Sequence, residues 1–166
     1  MEAGVLTFDA SSSDDEINIV STGPGSVELT FNGNTQTLGG VVNGVIVNGL
    51  AGDDTITVDV PASVSVQING GAGNDTITGG AGNDILEGGS GVDTITGNAG
   101  DDEIWAGTQS VVDTDDNFIF GGIGSDTIHG GNGVDDVSGG SQSDTCLLYT
   151  SPSPRDLSTS RMPSSA

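Results

Sequence analysis

The chain reads as an all-β protein: a parallel β-solenoid of two facing short-strand sheets, with 18 residues in each coil. Three observations predict this. Nine-residue units stand in tandem from Gly70 to Thr96, reading GGAGNDTIT, GGAGNDILE and GGSGVDTIT. A large apolar residue recurs every nine positions, at Ile77, Leu86, Ile95 and Ile104. Upstream, alternating runs such as Val27-Glu28-Leu29-Thr30-Phe31 and Val45-Ile46-Val47 favour short strands.

From the N-terminus, residues 1–48 read as longer, irregular solenoid rungs or as a small β cap. Ser11–Ile19 keeps only an acidic pair and an apolar residue of the repeat, and Asn32-Gly33 and Asn43-Gly44 are expected to turn. Gly49–Thr57 (GLAGDDTIT) is a degenerate repeat in which Leu50 replaces a glycine, and it opens a regular region expected over 49–145. After Ile104 the apolar position jumps fifteen residues to Ile119, then returns to nine at Ile128 and Val137. The jump places a looped-out insertion within 106–116.

Each repeat divides into a six-residue turn, GGxGxD, and a three-residue strand, x-U-x, where U is the large apolar residue. The strand's middle side chain points inward and its flanks point out. Glycines let the turn backbone approach an ion closely, exposing carbonyl oxygens, and the aspartate adds a carboxylate. Hard oxygen donors, flexible in number, suit Ca²⁺ better than Mg²⁺ or Zn²⁺.

Successive repeats face opposite ways, so the turns sort onto two edges. One edge carries Asp84, Asp102, Asp126 and Asp144; the other carries Asp75, Asp93, Asn117 and Asp135. Ions are expected between turns stacked on one edge, at Asp84/Asp102, Asp102/Asp126, Asp126/Asp144 and Asp75/Asp93, with Asp54/Asp75 as a fifth pair. That implies about four to five ions. The Asn117 turn lacks the carboxylate and is expected to bind poorly, whereas Asn98 tolerates the left-handed backbone its turn requires. Asp14, Asp15, Asp113 and Asp115 are read as solvated.

Charge makes an ion necessary. The net charge is −22, and no lysine or arginine precedes Arg155. Coils stack about 4.8 Å apart. Two carboxylates about 5 Å apart repel by about 3 kcal/mol at an effective dielectric of 20. Several such pairs rival a whole domain's stability of about 5–15 kcal/mol. The same charge excludes nucleic acid, whose phosphates are neutralised by Lys and Arg. No run approaches the roughly 20 apolar residues of a membrane span.

Cys146–Ala166 breaks the rhythm. CLLYTSPSPRD and SRMPSSA resemble translated sequencing-adapter read-through, so 146–166 is expected to be an artefactual, disordered tail behind a truncated repeat.

The motif G-G-x-G-x-D-x-U-x, clearest over Gly49–Thr145, resembles the RTX, or haemolysin-type calcium-binding repeat, family. The resemblance implies a right-handed parallel β-roll and an extracellular or cell-surface protein. It also implies export through a type I secretion machinery that reads a far C-terminal signal, absent here. The first expectation is a calcium-dependent folding module of such a protein. The alternative is a non-catalytic appendage of a secreted protease, lipase, epimerase or toxin encoded outside these residues.

No catalytic set is legible. His129 stands alone at an outward position, and acidic pairs are too common to mark glycoside chemistry. Thr55/Thr57, Thr76/Thr78 and Thr94/Thr96 line an outward ladder resembling the flat faces of ice-binding solenoids; β-branched filler is the plainer reading.

Overall fold

The computed structural model describes residues 4–40, 42–108 and 114–148. Its strands, in chain order, are β1 (Val5–Asp9), β2 (Glu16–Gly23), β3 (Ser26–Phe31), β4 (Asn34–Leu38), β5 (Gly44–Asn48), β6 (Thr55–Asp59), β7 (Ser65–Ala72), β8 (Thr76–Thr78), β9 (Ile85–Ser90), β10 (Thr94–Ala99), β11 (Glu103–Trp105), β12 (Phe118–Ile123), β13 (Thr127–Gly131), β14 (Asp136–Ser141) and β15 (Thr145–Leu148). Among the described residues there is no helix.

One inward apolar residue per short strand leaves a single way to bury it: against the opposite strand of the same coil and its copies above and below. The chain therefore alternates between two parallel sheets. One runs β1-β5-β7-β9-β11-β13-β15; the other runs β14-β12-β10-β8-β6-β2 and continues into β3 and β4. The register stacks the inward residues as files. Ile17, Ile56, Ile77, Ile95, Ile119 and Val137 align in one sheet. Phe8, Val47, Ile68, Leu86, Ile104, Ile128 and Cys146 align in the other. Ile56, Ile68, Ile77, Leu86, Ile95, Ile104, Ile119 and Ile128 are all 0% exposed, so the core is thin but closed.

The coil length follows the sequence. Asp75 to Asp93 and Asp84 to Asp102 are 18 residues apart and one coil apart. The insertion stretches the next coil to 24 residues, from Asp93 to Asn117 and from Asp102 to Asp126.

The N-terminal coils are wider. A second inward file, with Ile19 beside Val58 and Val45 beside Val66, broadens the core there. Residues 4–48 supply both solenoid rungs (β1, β2 and β5) and an antiparallel meander. The β3–β4 turn is Asn32-Gly33, with φ of 47° and 77°, the paired left-handed conformation of a tight hairpin. Phe31 meets Phe8 edge to face, with ring centroids 5.1 Å apart, and so covers the end of the core. Asn43-Gly44, expected as a turn, instead leads straight into β5, because both N–H groups donate to the Gly4 carbonyl as parallel pairing begins.

At the other end, β15 carries Cys146, Leu147 and Leu148 into the sheet beside β13. The adapter-like stretch thus starts inside a strand, and 149–166 lie outside the described residues.

The second residue of most turns takes positive φ, as at Gly71 (113°), Gly89 (121°), Asn98 (77°) and Gly122 (120°), although Gly80 does not. Leu50 occupies that place at 78° with its side chain 51% exposed, so it carries backbone strain and buries little in return. Left-handed geometry costs a non-glycine residue roughly 1–2 kcal/mol, and glycine's extra freedom when unfolded returns about 0.5–1 of that. Leu50→Gly is therefore expected to stabilise the fold by about 0.5–1 kcal/mol, read as a higher urea midpoint at fixed calcium. A lower midpoint would contradict the strain assigned to Leu50.

Candidate metal centre

The repeat's aspartates form two columns, one along each edge. In the first, Asp15, Asp54, Asp75, Asp93, Asn117 and Asp135 follow coil by coil. In the second, Asp84, Asp102, Asp126 and Asp144 do the same. One contact builds both columns: the backbone N–H of each residue donates to Oδ1 of its counterpart in the following coil. These bonds measure 2.8 Å from Asp54 to Asp75, 2.8 Å from Asp75 to Asp93, 2.9 Å from Asp84 to Asp102 and 2.9 Å from Asp102 to Asp126.

The structure thus brings together the pairs expected from the spacing, Asp54/Asp75, Asp75/Asp93, Asp84/Asp102, Asp102/Asp126 and Asp126/Asp144. Asp54, Asp75, Asp84, Asp93, Asp102 and Asp126 are buried, while Asp135 and Asp144 are half-buried near the C-terminal end.

Oδ1 is engaged in these bonds, except at Asp84, where Oδ1 is the atom without a partner; Oδ2 is another matter. The Oδ2 atoms of Asp54, Asp75, Asp102 and Asp126 are buried with no hydrogen-bond partner. A buried carboxylate oxygen without a donor is costly and needs a cation or a proton. Burial is accordingly the leading cause that drives these groups upward. Asp54 is pushed up to about 6, with the charges of Asp75, Asp15 and Asp14 adding to burial and the Asp15 N–H opposing it. Asp102 is pushed up to about 7 by burial, against the Asp84 N–H, with Asp84, Asp126 and Asp101 adding their charges. Asp84 reaches about 6 through burial, although its Oδ2 accepts the Gly80 N–H at 2.7 Å. Asp75 and Asp126 are raised by burial as well.

The first glycine of each turn shows where oxygen donors converge. A Cβ on Gly79 would lie 2.8 Å from Asp84 Oδ2 and 3.0 Å from the Gly97 carbonyl of the next coil. On Gly70 it would collide with Asp75 Oδ2 and the Gly88 carbonyl; on Gly97, with Asp102 Oδ2 and the Gly121 carbonyl. Glycine is needed there because a carboxylate oxygen and a carbonyl from the following coil crowd the spot. Among the described residues no three acidic, histidine or cysteine side chains gather as a metal cluster, so further donors must be backbone carbonyls. An oxygen-only set of carboxylates and carbonyls fits Ca²⁺.

Residues 67–95, 79–110 and 112–146 match the family described as RTX calcium-binding nonapeptide repeat (4 copies). Residues 67–146 are RTX calcium-binding nonapeptide repeats. None of the curated proteins and none of the solved structures compared matches the chain. RTX repeats are a structural, non-catalytic calcium-binding module that folds as a β-roll, which agrees with the two sheets seen here.

Several readings of the sequence need correction. Asp15, expected to be solvated, is 4% exposed and heads the first column of the RTX turns. Burial pushes its pKa up, but hydrogen bonds from the Asn32 side chain and from the Ser11 N–H and hydroxyl more than reverse this, leaving it lowered. Asp14 is exposed, as expected, and accepts the Asp53 N–H at 2.9 Å, while Asp115 is half-buried and accepts the Gly91 N–H at 3.0 Å. Asp113 lies outside the described residues. His129 points outward but is half-buried under a parallel stack with Trp105, centroids 3.5 Å apart. Burial lowers its pKa, and Glu103 partly offsets this. Asn98 takes the expected left-handed backbone, and its Nδ2 also donates to the Gly79 carbonyl at 2.8 Å.

One set of residues was missed. The fifth position of the RTX turn, read as a spacer, carries a second ladder running the opposite way. The N–H of the later coil donates to the side chain of the earlier one: Asn74 to Asp53 (2.8 Å), Val92 to Asn74 (2.8 Å), Asp101 to Asn83 (2.9 Å), Ser125 to Asp101 (2.8 Å) and Val134 to Asp116 (2.7 Å). The recurring Asn-Asp and Asp-Asp pairs were the available signal.

The two ladders separate by substitution. Asn74→Ala removes one exposed hydrogen bond and is expected to cost about 0.5–1.5 kcal/mol in a urea melt. It should leave the number of bound calcium ions unchanged by native mass spectrometry; a lost ion would make position 74 part of the metal site.

A pH effect follows for the metal-free chain. A carboxyl whose pKa is raised on folding stabilises the fold fully below its unfolded value, and that help is lost as pH climbs through the folded value. For Asp54, Asp84 and Asp102 the window runs from the ordinary 3.8 up to about 6, 6 and 7. In metal-depleted buffer, β structure followed by circular dichroism is expected to be greatest near the acid end of this window and to decline toward pH 8. A gain of structure on raising the pH would refute the assignment.

Proposed function

We propose that the chain is a calcium-dependent folding module of a secreted or cell-surface protein. Its ions sit between stacked turns at Asp54/Asp75, Asp75/Asp93, Asp84/Asp102, Asp102/Asp126 and Asp126/Asp144. Asp135 is paired with Asn117, whose turn lacks the carboxylate, so no ion is assigned between them.

One observation carries the reading: rows of buried aspartates hold Oδ2 atoms without donors, in a chain whose arginines, Arg155 and Arg161, both lie outside the described residues. A divalent cation between turns would neutralise two carboxylates at once and bind carbonyls from consecutive coils. Binding and stacking are then one event, because neither turn alone presents the full donor set. Calcium supplies charge and coordination, while the chain supplies spacing, glycine clearance and the exclusion of water. The secreted or surface setting is supported by the family, whose members typically occupy it. Export fits the mechanism: a chain short of calcium stays loose enough to thread, then folds where calcium is abundant.

The full chain should be largely disordered at pH 7.5 with chelator and become β-rich in millimolar calcium by circular dichroism. Asp75→Asn and Asp102→Asn should each weaken calcium-induced folding, shifting the calcium midpoint upward several-fold. An identical β spectrum with chelator and with calcium would sink the proposal.

A further inference from the structure

Resting on the calcium reading above, we infer that Asn117 is a built-in cation substitute: its side-chain amide takes the place of an ion and makes the insertion coil a calcium-free joint in the first column.

Asn117 is isosteric with aspartate and keeps the column's structural contact. Its Oδ1 accepts the Asp93 N–H at 2.7 Å, as the Oδ1 of Asp93 accepts from Asp75. The difference lies at the other atom. Where Asp54, Asp75, Asp102 and Asp126 present a buried Oδ2 without a donor, Asn117 presents Nδ2. That group donates to the Asp115 carbonyl at 3.1 Å and to Asp135 Oδ1 at 3.4 Å. A carbonyl and the next coil's carboxylate are the kinds of oxygen offered to an ion elsewhere; here two N–H bonds meet them. The residue is 1% exposed, so its amide is part of the interior.

The same device closes the N-terminal end of this column. Asn32 Nδ2 donates to Asp15 Oδ1 at 2.7 Å, and the Ser11 N–H and hydroxyl satisfy Asp15 Oδ2, each at 2.7 Å. The rungs carrying Asp54, Asp75 and Asp93 therefore lie between two asparagine amides. A neutral donor fits the insertion coil in particular. The 24-residue coil still places a carbonyl, from Ala106, against Gly88 beside the Asp93 carboxylate, but its Asn117 turn brings no second carboxylate, and the amide meets the Asp115 carbonyl and Asp135 instead. Asn117 thus fixes where the ion row stops, and how many ions the chain takes.

The test is the count of calcium ions on the full chain by native mass spectrometry at saturating calcium, with folding checked by circular dichroism. Asn117→Asp should bind one ion more than the wild type and gain more in melting temperature from calcium. Asn117→Ser, which removes the amide without adding charge, should keep the wild-type count and melt lower. An unchanged count in folded Asn117→Asp overturns the inference, as does a failure of that variant to fold in calcium. A lost ion in Asn117→Ser overturns it too, because the amide oxygen would then be a ligand. A wild-type chain that takes up no calcium would instead sink the calcium reading, and this inference with it.

Discussion

The constraint behind this structure is a carboxylate that must be buried for the backbone to stack. Each coil is pinned to the next by an N–H donating to an aspartate Oδ1, and that bond draws the whole carboxylate into the turn. Its second oxygen then faces other oxygens. Asp15 escapes because Ser11 and Asn32 supply donors, and its pKa falls; Asp54 and Asp102 have no such neighbours, and theirs rise to about 6 and 7. The same side chain at equivalent places titrates in opposite directions according to what meets its outer oxygen. A cation can do for many rungs what the protein does for one.

The repeat part of this arrangement was legible because period determines direction. A spacing of nine with one apolar residue fixes which side chains enter the core and which turns share an edge, so the two aspartate columns could be drawn from residue numbers. The N-terminal region was harder. Val27–Phe31 has the alternation of a strand, yet alternation is silent about partner and polarity, and β3 pairs antiparallel outside the coil. Asn43-Gly44 has turn chemistry, but its N–H groups were claimed by the Gly4 carbonyl.

The fifth-position ladder escaped for a different reason. The motif writes that position as free, since Val92, Ser125 and Val134 also occupy it. Those residues still donate their N–H to the Asx side chain one coil earlier. A residue in this ladder serves its neighbour's backbone, so its value is invisible when one repeat is read alone. The two ladders complement each other: sixth-position oxygens accept from the preceding coil, fifth-position oxygens from the following coil. Interior turns such as those at Asn74-Asp75 and Asp101-Asp102 are thereby held from both sides by bonds that need no metal.

On the calcium reading proposed above, these parts would give the molecule a gradient of calcium dependence along its axis. Near the N-terminus each strand buries two apolar residues, as with Ile17 and Ile19 or Val45 and Val47, and Phe31 and Phe8 cover the end. Protein donors satisfy the first carboxylate there. Beyond Ile77 each strand contributes a single inward residue, so apolar burial per coil shrinks while buried carboxylates recur at the same rate. Burial yields about 25 cal/mol per Å² of apolar surface, so halving the inward residues halves the term that opposes carboxylate repulsion. In a solenoid, each coil is stabilised by its neighbours and order propagates from the most stable one. The wide N-terminal coils are the natural template, and on that reading the narrow coils would add to them one at a time as calcium removed the cost of burying each new carboxylate.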